Sequence, residues 1–544
     1  MMIKKHRLII LSVFSGILLT LPWWQSFSGI ILLVAFVPLL FVEEFIFIKR
    51  DQFKPVYVFG YGFLAFFLWN ILSVYWIFKV TLPGALFVMT ANSLLMALIF
   101  FLYHLTKRNL GRNFGNFSLM AYWLGWEYFM FHAELAFPWL TLGNGFAKDI
   151  SLVQWYEFTG TLGGSLWVLS VNLLVFAILR HYIVHRTFGY QVTRMVFTFL
   201  MIFVPILVSL YQFKNYREPG DPVQLVVVQP NIDPIHEKYD GLTQEQQISR
   251  VLHLGHSRVD STTDYLVAPE TVIHEDLWQE RMHEHPSIRK MQQFVCQYPG
   301  LHVIFGVDIR RILGEDEAIP AEAKKQKDGR YFMRYNAALQ LDSTGQIPVY
   351  YKSRLVNGIE KVPYPKLFGF LNDWLLDLGD ETGSLGTQDQ REIFKDGTKI
   401  KGVAPVICYE SVFGEFVTRY VRNGAELIVI ITNDGWFGDT AGYKQHLHFA
   451  RLRAVETRRG IARSANTGIS ALINQKGELI KTTDWWTEGA IKGTLNAFDG
   501  LTFYVQYGNY IGRIASFLAV FGLLYLVAKM LMRSSKNADL LKLR

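Results

Sequence analysis

Three residues of this chain have the types that covalent acyl chemistry needs, and each follows a run of strand-forming residues. YLVAPE ends in Glu270, VYYKSRL places Lys352 just after a β-like run, and PVICYE delivers Cys408 followed by Tyr409 and Glu410. A thiol attacks a carbonyl when a carboxylate takes its proton and a cation stabilises the negative charge that develops on oxygen. Taken singly, each residue has an ordinary reading. A buried cysteine is a small hydrophobe, and a Glu or Lys at a strand end is commonly solvated. The separations, 82 residues from Glu270 to Lys352 and 56 from Lys352 to Cys408, follow no local spacing rule. Only a fold can bring the three together.

The elements around them read as a layered α/β domain. LVVVQP (225–230), YLVAPE (265–270), HVIFGV (302–307), NAALQL (336–341), GVAPVICYE (402–410) and ELIVIITND (426–434) are short apolar runs, as strands buried on both faces require. Helical stretches at 243–258, 286–297, 414–423 and 441–459 intervene, and SALINQKGE (470–478) reads as a hairpin turning at Gly477. His446 and His448 read as residues on a helix face, and no carboxylate cluster lies at ligand spacing, so no metal or other cofactor is expected. The only cysteines are Cys296 and Cys408, without a CxxC, and they are expected to lie too far apart to pair.

Composition sets this domain in a larger frame. Of 544 residues, 51% are hydrophobic and only 18% charged, with a mean hydropathy of +0.19, which excludes disorder and an all-soluble chain. Eight apolar stretches could cross a bilayer, at about 8–22, 26–45, 56–78, 84–105, 117–136, 164–181, 195–212 and 511–532. The first reads as a retained anchor, because no small-residue cleavage site follows it. The expected organisation is therefore a seven-span region over 1–212, an aqueous catalytic domain over 213–510, and a last span with its tail over 511–544.

Every second loop is basic. Lysines and arginines cluster at 4–7, 49–54, 107–112, 180–194 and 533–544, while the alternate short loops carry little beyond Lys79 and Lys148. By the positive-inside rule both ends lie in the cytoplasm and the large domain lies outside, in the periplasm of a bacterial envelope. The net charge of +8 is thus a matter of membrane orientation, and nucleic acid is not an expected partner.

The order Glu270, Lys352, Cys408, in the settings VAPET, YYKSRL and VICYES, resembles the triad of the nitrilase superfamily. With NDGWFGDT (433–440), QHLHFARLRAVETRRG (445–460), RSANTGIS (463–470), FPWLTLGN (137–144), GTLGGSLWVLSVN (160–172) and the spans, the whole resembles the apolipoprotein N-acyltransferase family. The resemblance implies a membrane region of about eight helices carrying a four-layer αββα nitrilase-like sandwich in the bacterial inner membrane. It implies transfer of an acyl chain from a phospholipid, through a Cys408 thioester, to the N-terminal amine of a diacylglyceryl lipoprotein in ping-pong fashion; a monomer is expected of a membrane enzyme of this size.

Glu270 would be the base, with Lys352 and a backbone N–H near Tyr409 as oxyanion donors. Glu360 and Glu410 would support them, and Trp436, Phe437, Phe368 and Phe370 would contact lipid. The loop 361–376 either dips into the interface as a lid or packs internally. At 355–363 the chain reads LVNGIEKVP where the family has a Leu-Val-Pro-Phe-Gly-Glu run, yet Glu360 keeps its place eight residues after Lys352. The alternative reading is a membrane-tethered amidase of the same triad, with water as second nucleophile.

Overall fold

The computed structural model describes residues 5–239, 241–320, 322–361, 364, 384–395, 397 and 399–542, without the side chains of Tyr190, Asp276 and 533–542. Phe368 and Phe370 lie outside the described residues. The chain forms two units: Met1–Phe78 with Ala85–Lys214 and Asn509–Arg544, and Lys79–Gly84 with Asn215–Gly508.

The first unit is helical. Its principal helices are α1 (Lys5–Thr20), α2 (Val37–Ile48), α3 (Val56–Ser73), α4 (Leu82–Leu110), α5 (Arg112–Met130), α6 (Tyr156–His185), α7 (Val192–Asn215) and, from the far end of the sequence, a helix over Tyr510–Lys542. Among the described residues seven helices are long and apolar enough to cross a membrane; this is a membrane protein. The expected span at 117–136 is the exception. Helix α5 has the length, but Arg112, Asn113, Asn116, Ser118 and Glu127 lower its hydropathy.

Several polar side chains of this unit bond to partners within it, as a hydrocarbon surrounding favours. Asn92 Nδ2 donates to Asn70 Oδ1 at 2.8 Å. Asn172 Nδ2 donates to the Leu32 carbonyl and its Oδ1 accepts from Phe36 N–H, while Glu127 accepts from Trp123 Nε1 and Leu142 N–H. Lys107 is not the solvated loop cation that the charge pattern suggests. It is buried within α4, bonded to Glu43, and lies 2.8 Å from Glu44; His104 Nδ1 meets Glu43 at 2.7 Å, and Arg112 and Arg180 also reach Glu44.

The second unit contains two sheets. The larger runs β13-β1-β2-β4-β6-β5, with β3 against β4 and β7 against β6; the smaller runs β12-β11-β10-β9-β8. The strands are β1 (Asp221–Gln229), β2 (Tyr265–Val267), β3 (Ile273–Trp278), β4 (His302–Ile312), β5 (Lys324–Lys325), β6 (Tyr331–Leu341), β7 (Val349–Tyr351), β8 (Val403–Ile407), β9 (Leu427–Thr432), β10 (Gly460–Ala465), β11 (Ala471–Ile473), β12 (Leu479–Thr482) and β13 (Gly489–Ala497). Gly477, at φ 82°, makes the turn between β11 and β12.

The apolar runs of β1, β8 and β9 are covered on both faces, which is why they show no alternation. The sheets meet face to face across β1 and β10, where Ser464 Oγ donates to the Val228 carbonyl at 2.7 Å. On the outer face of the large sheet, α8 (Gln244–His256) and α9 (Pro286–Val295) bury Ile248, Val251, Ile288, Met291 and Phe294 against Val226, Leu266, Val303 and Leu339. Helices α10 (Gly414–Arg422) and α11 (Ala441–Thr457) cover the small sheet; numbered in order, the Tyr510–Lys542 helix is α12. The layers are αββα.

Candidate active site

Adjacent strands of the large sheet put Glu270, Asn336 and Lys352 side by side. The segment after β2 lies along β4, through Ala268 N–H to the Ile304 carbonyl and Val272 N–H to the Gly306 carbonyl. Position 306 must be glycine, because a Cβ there would come within 2.5 Å of Thr271 N and 2.6 Å of Glu270 Cα. Asn336 pairs with Asp308 in the β4–β6 register, and Lys352 N–H donates to the Asn336 carbonyl at 2.8 Å at the end of β7.

The side chains then converge. Lys352 Nζ donates to Glu270 Oε1 at 3.0 Å and to Glu360 Oε1 at 2.7 Å. Asn336 Nδ2 donates to the same two oxygens, at 2.7 and 3.0 Å. Asn433 N–H, from the turn after β9, donates to Glu270 Oε2 at 3.1 Å, which joins this cluster to the strand ends of the small sheet.

Cys408 is the first residue beyond β8. Its φ of 49° is left-handed, a conformation that a non-glycine residue holds only where its surroundings fix it. Thr271, directly after Glu270, has φ 50°. Cys408 and the residue after Glu270 therefore both make tight turns beyond strand ends.

Glu410 anchors the cysteine turn. Its Oε1 accepts from Tyr350 O–H at 2.8 Å, Ser353 N–H at 2.6 Å and Arg354 N–H at 3.3 Å, and its Oε2 accepts from Ile407 N–H at 2.9 Å. It thereby ties the chain around Lys352 to the chain around Cys408. This is a positioning task; among these bonds none goes to the Lys352 side chain, which Glu360 holds instead.

The electrostatics follow from burial and pairing. Burial raises the Glu270 carboxyl, but Lys352, the hydrogen bond from Asn336 and the charge of Lys238 outweigh it and hold it below the usual carboxylate range. Burial also works against the Lys352 cation, yet Glu270 and Glu360 keep it well above its ordinary value. For the Cys408 thiol burial dominates, Glu270 adds to it and Lys352 opposes it; the thiol is pushed far up and rests protonated. A neutral thiol in the field of a carboxylate and an ammonium is an arrangement that can support base-assisted attack on a carbonyl.

The family model for carbon–nitrogen hydrolases matches residues 226–498. The chain belongs to the carbon–nitrogen hydrolase family. A second family model, the apolipoprotein N-acyltransferase N-terminal domain, matches residues 15–174. The chain is 29% identical to an apolipoprotein N-acyltransferase of Chlorobaculum tepidum, over 95% of this chain and 96% of that protein. It is 28% identical to one of Geobacter metallireducens, over 92% and 91%. A third, from Thermotoga maritima, is 27% identical over 94% and 92%.

In this carbon–nitrogen hydrolase the remaining expected residues fall as follows. Tyr409 is half-buried with its ring against Phe413 at 5.1 Å, and burial pushes its phenol well up. Trp436 and Phe437 are half-buried in the turn after β9. Cys296 and Cys408 are free thiols. His448 lies partly exposed near Arg451, but His446 departs from the helix-face reading. It is buried, and it contacts both Asp434 and the Cys408 carbonyl. The signal was present in the sequence: His446, Phe449, Ala450 and Arg453 recur at intervals of three, four and seven, and all four are buried.

Two more residues had no assigned role. Asn336 stands in a strand read only for its apolar neighbours. Lys238 is 3% exposed, its Nζ bonds to Thr271 Oγ1, and its charge faces Glu270 and Asp308. Among the described residues no group of three or more His, Cys, Asp or Glu is placed to hold a metal.

Proposed function

We propose that the chain is an apolipoprotein N-acyltransferase that moves an acyl chain from a membrane phospholipid to the α-amino group of a lipoprotein's N-terminal diacylglyceryl-cysteine. The observation that carries this reading is a carbon–nitrogen hydrolase site built on the same chain as seven apolar helices, the first five of which overlap the match to the acyltransferase membrane domain. Anchoring keeps the enzyme in the membrane that holds both lipid-borne substrates. The basic loops support cytoplasmic ends and a periplasmic catalytic unit in the bacterial inner membrane.

In the first half-reaction Glu270 takes the Sγ proton as the Cys408 sulfur attacks the ester carbonyl. Lys352 Nζ–H and the Tyr409 N–H stabilise the oxyanion, a contribution of about 3–4 kcal/mol per donor. Collapse breaks the C–O bond, the proton on Glu270 passes to the departing oxygen, and lysophospholipid leaves a thioester on Cys408. In the second half-reaction the acceptor amine attacks that thioester and Glu270 takes an N–H proton. The C–S bond breaks, and the proton returns to the cysteine sulfur. One ester is exchanged for one amide with a covalent intermediate between, so the kinetics are ping-pong. Glu360 holds Lys352 in place throughout, and Trp436 and Phe437 line the approach of the acyl chain.

Intact-protein mass spectrometry tests this directly. Detergent-purified protein incubated with phosphatidylethanolamine gains a long-chain acyl mass that Cys408→Ala does not, and the added mass disappears as a diacylated lipopeptide becomes N-acylated. An unmodified thiol together with release of ammonia from small amides would instead establish the tethered amidase.

A further inference from the structure

The carbonyl of Cys408 is held by an unusual amount of buried polar structure. Ser411 Oγ–H donates to it at 2.8 Å, and His446 Nε2 lies 3.2 Å from it and 2.9 Å from Ser411 Oγ. A carbonyl oxygen only accepts, so Nε2 carries a hydrogen in that contact. The ring is held from behind: Nδ1 faces Asp434 Oδ1 at 3.0 Å, and Asp434 Oδ2 accepts from Arg463 at 2.6 Å. Thr432 Oγ1 donates to Asp434 Oδ1 as well. Asp434, His446, Arg463 and Ser411 are each at most 1% exposed. They come from the turn after β9, from α11, from β10 and from the turn after β8.

What this cluster grips is one half of a rigid unit. The Cys408 carbonyl and the Tyr409 N–H belong to a single trans peptide plane, in which C=O and N–H point in opposite directions. Hydrogen bonds that fix the carbonyl on one side therefore fix the direction of the N–H on the other, and they polarise it in the same sense. We propose that His446 and Ser411, backed by Asp434 and Arg463, are positioning residues that clamp the Cys408–Tyr409 peptide so that the Tyr409 N–H faces the oxygen of the carbonyl under attack. The inference rests on the reading of Cys408 as nucleophile and of that N–H as oxyanion donor. It assigns the histidine no proton transfer; its work is done through a backbone carbonyl.

Two reactions at the same sulfur separate this role from a merely structural one. Alkylation of Cys408 by iodoacetamide needs the thiol but no oxyanion, whereas acylation by p-nitrophenyl butyrate passes through one. Both are followed by intact mass on the full-length protein in detergent, with Cys296, an exposed free thiol, replaced by alanine throughout so that only Cys408 can react. His446→Leu is expected to slow acylation by roughly 30- to 100-fold while alkylation stays within about threefold. His446→Gln, whose amide N–H can reach the carbonyl, recovers part of the loss. Ser411→Ala removes only a hydroxyl and should show the same selective defect at smaller amplitude, so the test survives if His446→Leu does not fold.

Acylation and alkylation falling together would overturn the clamp, as would acylation unchanged in both variants. Wild-type protein acylated by the p-nitrophenyl ester but not by phosphatidylethanolamine would sink the lipid-donor assignment and leave the clamp measurable. Wild-type protein that is alkylated yet never acylated would overturn both.

Discussion

At the scale of single residues, the site works by charge held in place. The proposed base Glu270 must be ionised to accept a proton, and Lys352, the hydrogen bond from Asn336 and the cation of Lys238 together outweigh its burial. Lys238→Met removes one of these, so the Glu270 pKa should rise. The ionised form is then lost at higher pH, and the acid limb of the kcat/KM profile should move up while the plateau changes little; a limb that stays put would show that Lys238 does not act on Glu270. Glu270, Lys352 and Cys408 were legible in the sequence because each directly follows a strand-like run and each is chemically unusual there. Lys238 and Asn336 were not. Their importance comes from neighbours 32 and 66 residues away along the chain, Glu270 in both cases, and no local pattern marks a contact that only strand order creates. His446 lies between these extremes, because its helical spacing was readable but its partner Asp434 was not.

Elements act here by how their ends are fastened to one another. Glu410 links the end of β7 to the end of β8 by accepting four hydrogen bonds at one carboxylate. Glu410→Gln puts an NH2 donor where N–H donors already point. It should cost about 2–3 kcal/mol or more of stability, lower the melting temperature, and slow acylation of Cys408 more than its alkylation. The sandwich itself was readable, since doubly covered strands show as unbroken apolar runs.

The membrane helices were readable by length, but the partners of their charges were not. Lys107 looks like a loop cation in sequence and is a buried one in the structure, bound to Glu43 and Glu44. Lys107→Met should leave buried carboxylates uncompensated and destabilise the protein by about 3–5 kcal/mol. The double variant Glu43→Gln, Lys107→Met should regain most of that loss in thermal denaturation in detergent. Equal losses in the single and double variants would mean that the pair is not coupled.

On the scale of the whole molecule, the first unit is assembled from three stretches of sequence, the last of which follows residues 215–508. Helix α12 packs along α5 where small residues permit close approach: a Cβ on Gly125 would lie 3.2 Å from Ser516 Cα and 3.5 Å from Ala519 Cβ, and Phe114 meets Tyr525 at 5.8 Å between ring centroids. Ending the chain at residue 508 should therefore expose α5 to proteolysis in detergent, and a separate peptide of residues 509–544 should restore its protection. Resistance to protease without that peptide would show that α5 needs no such partner.

This interleaving also imposes an order on biosynthesis. A ribosome delivers α1 to α7 first and α12 only after residues 215–508 have been made. Throughout that interval the glycine-bearing face of α5 waits without its mate. A chain that stops before residue 509 therefore leaves α5 without the helix that packs along it. The first unit is thus completed only in chains that already carry residues 215–508.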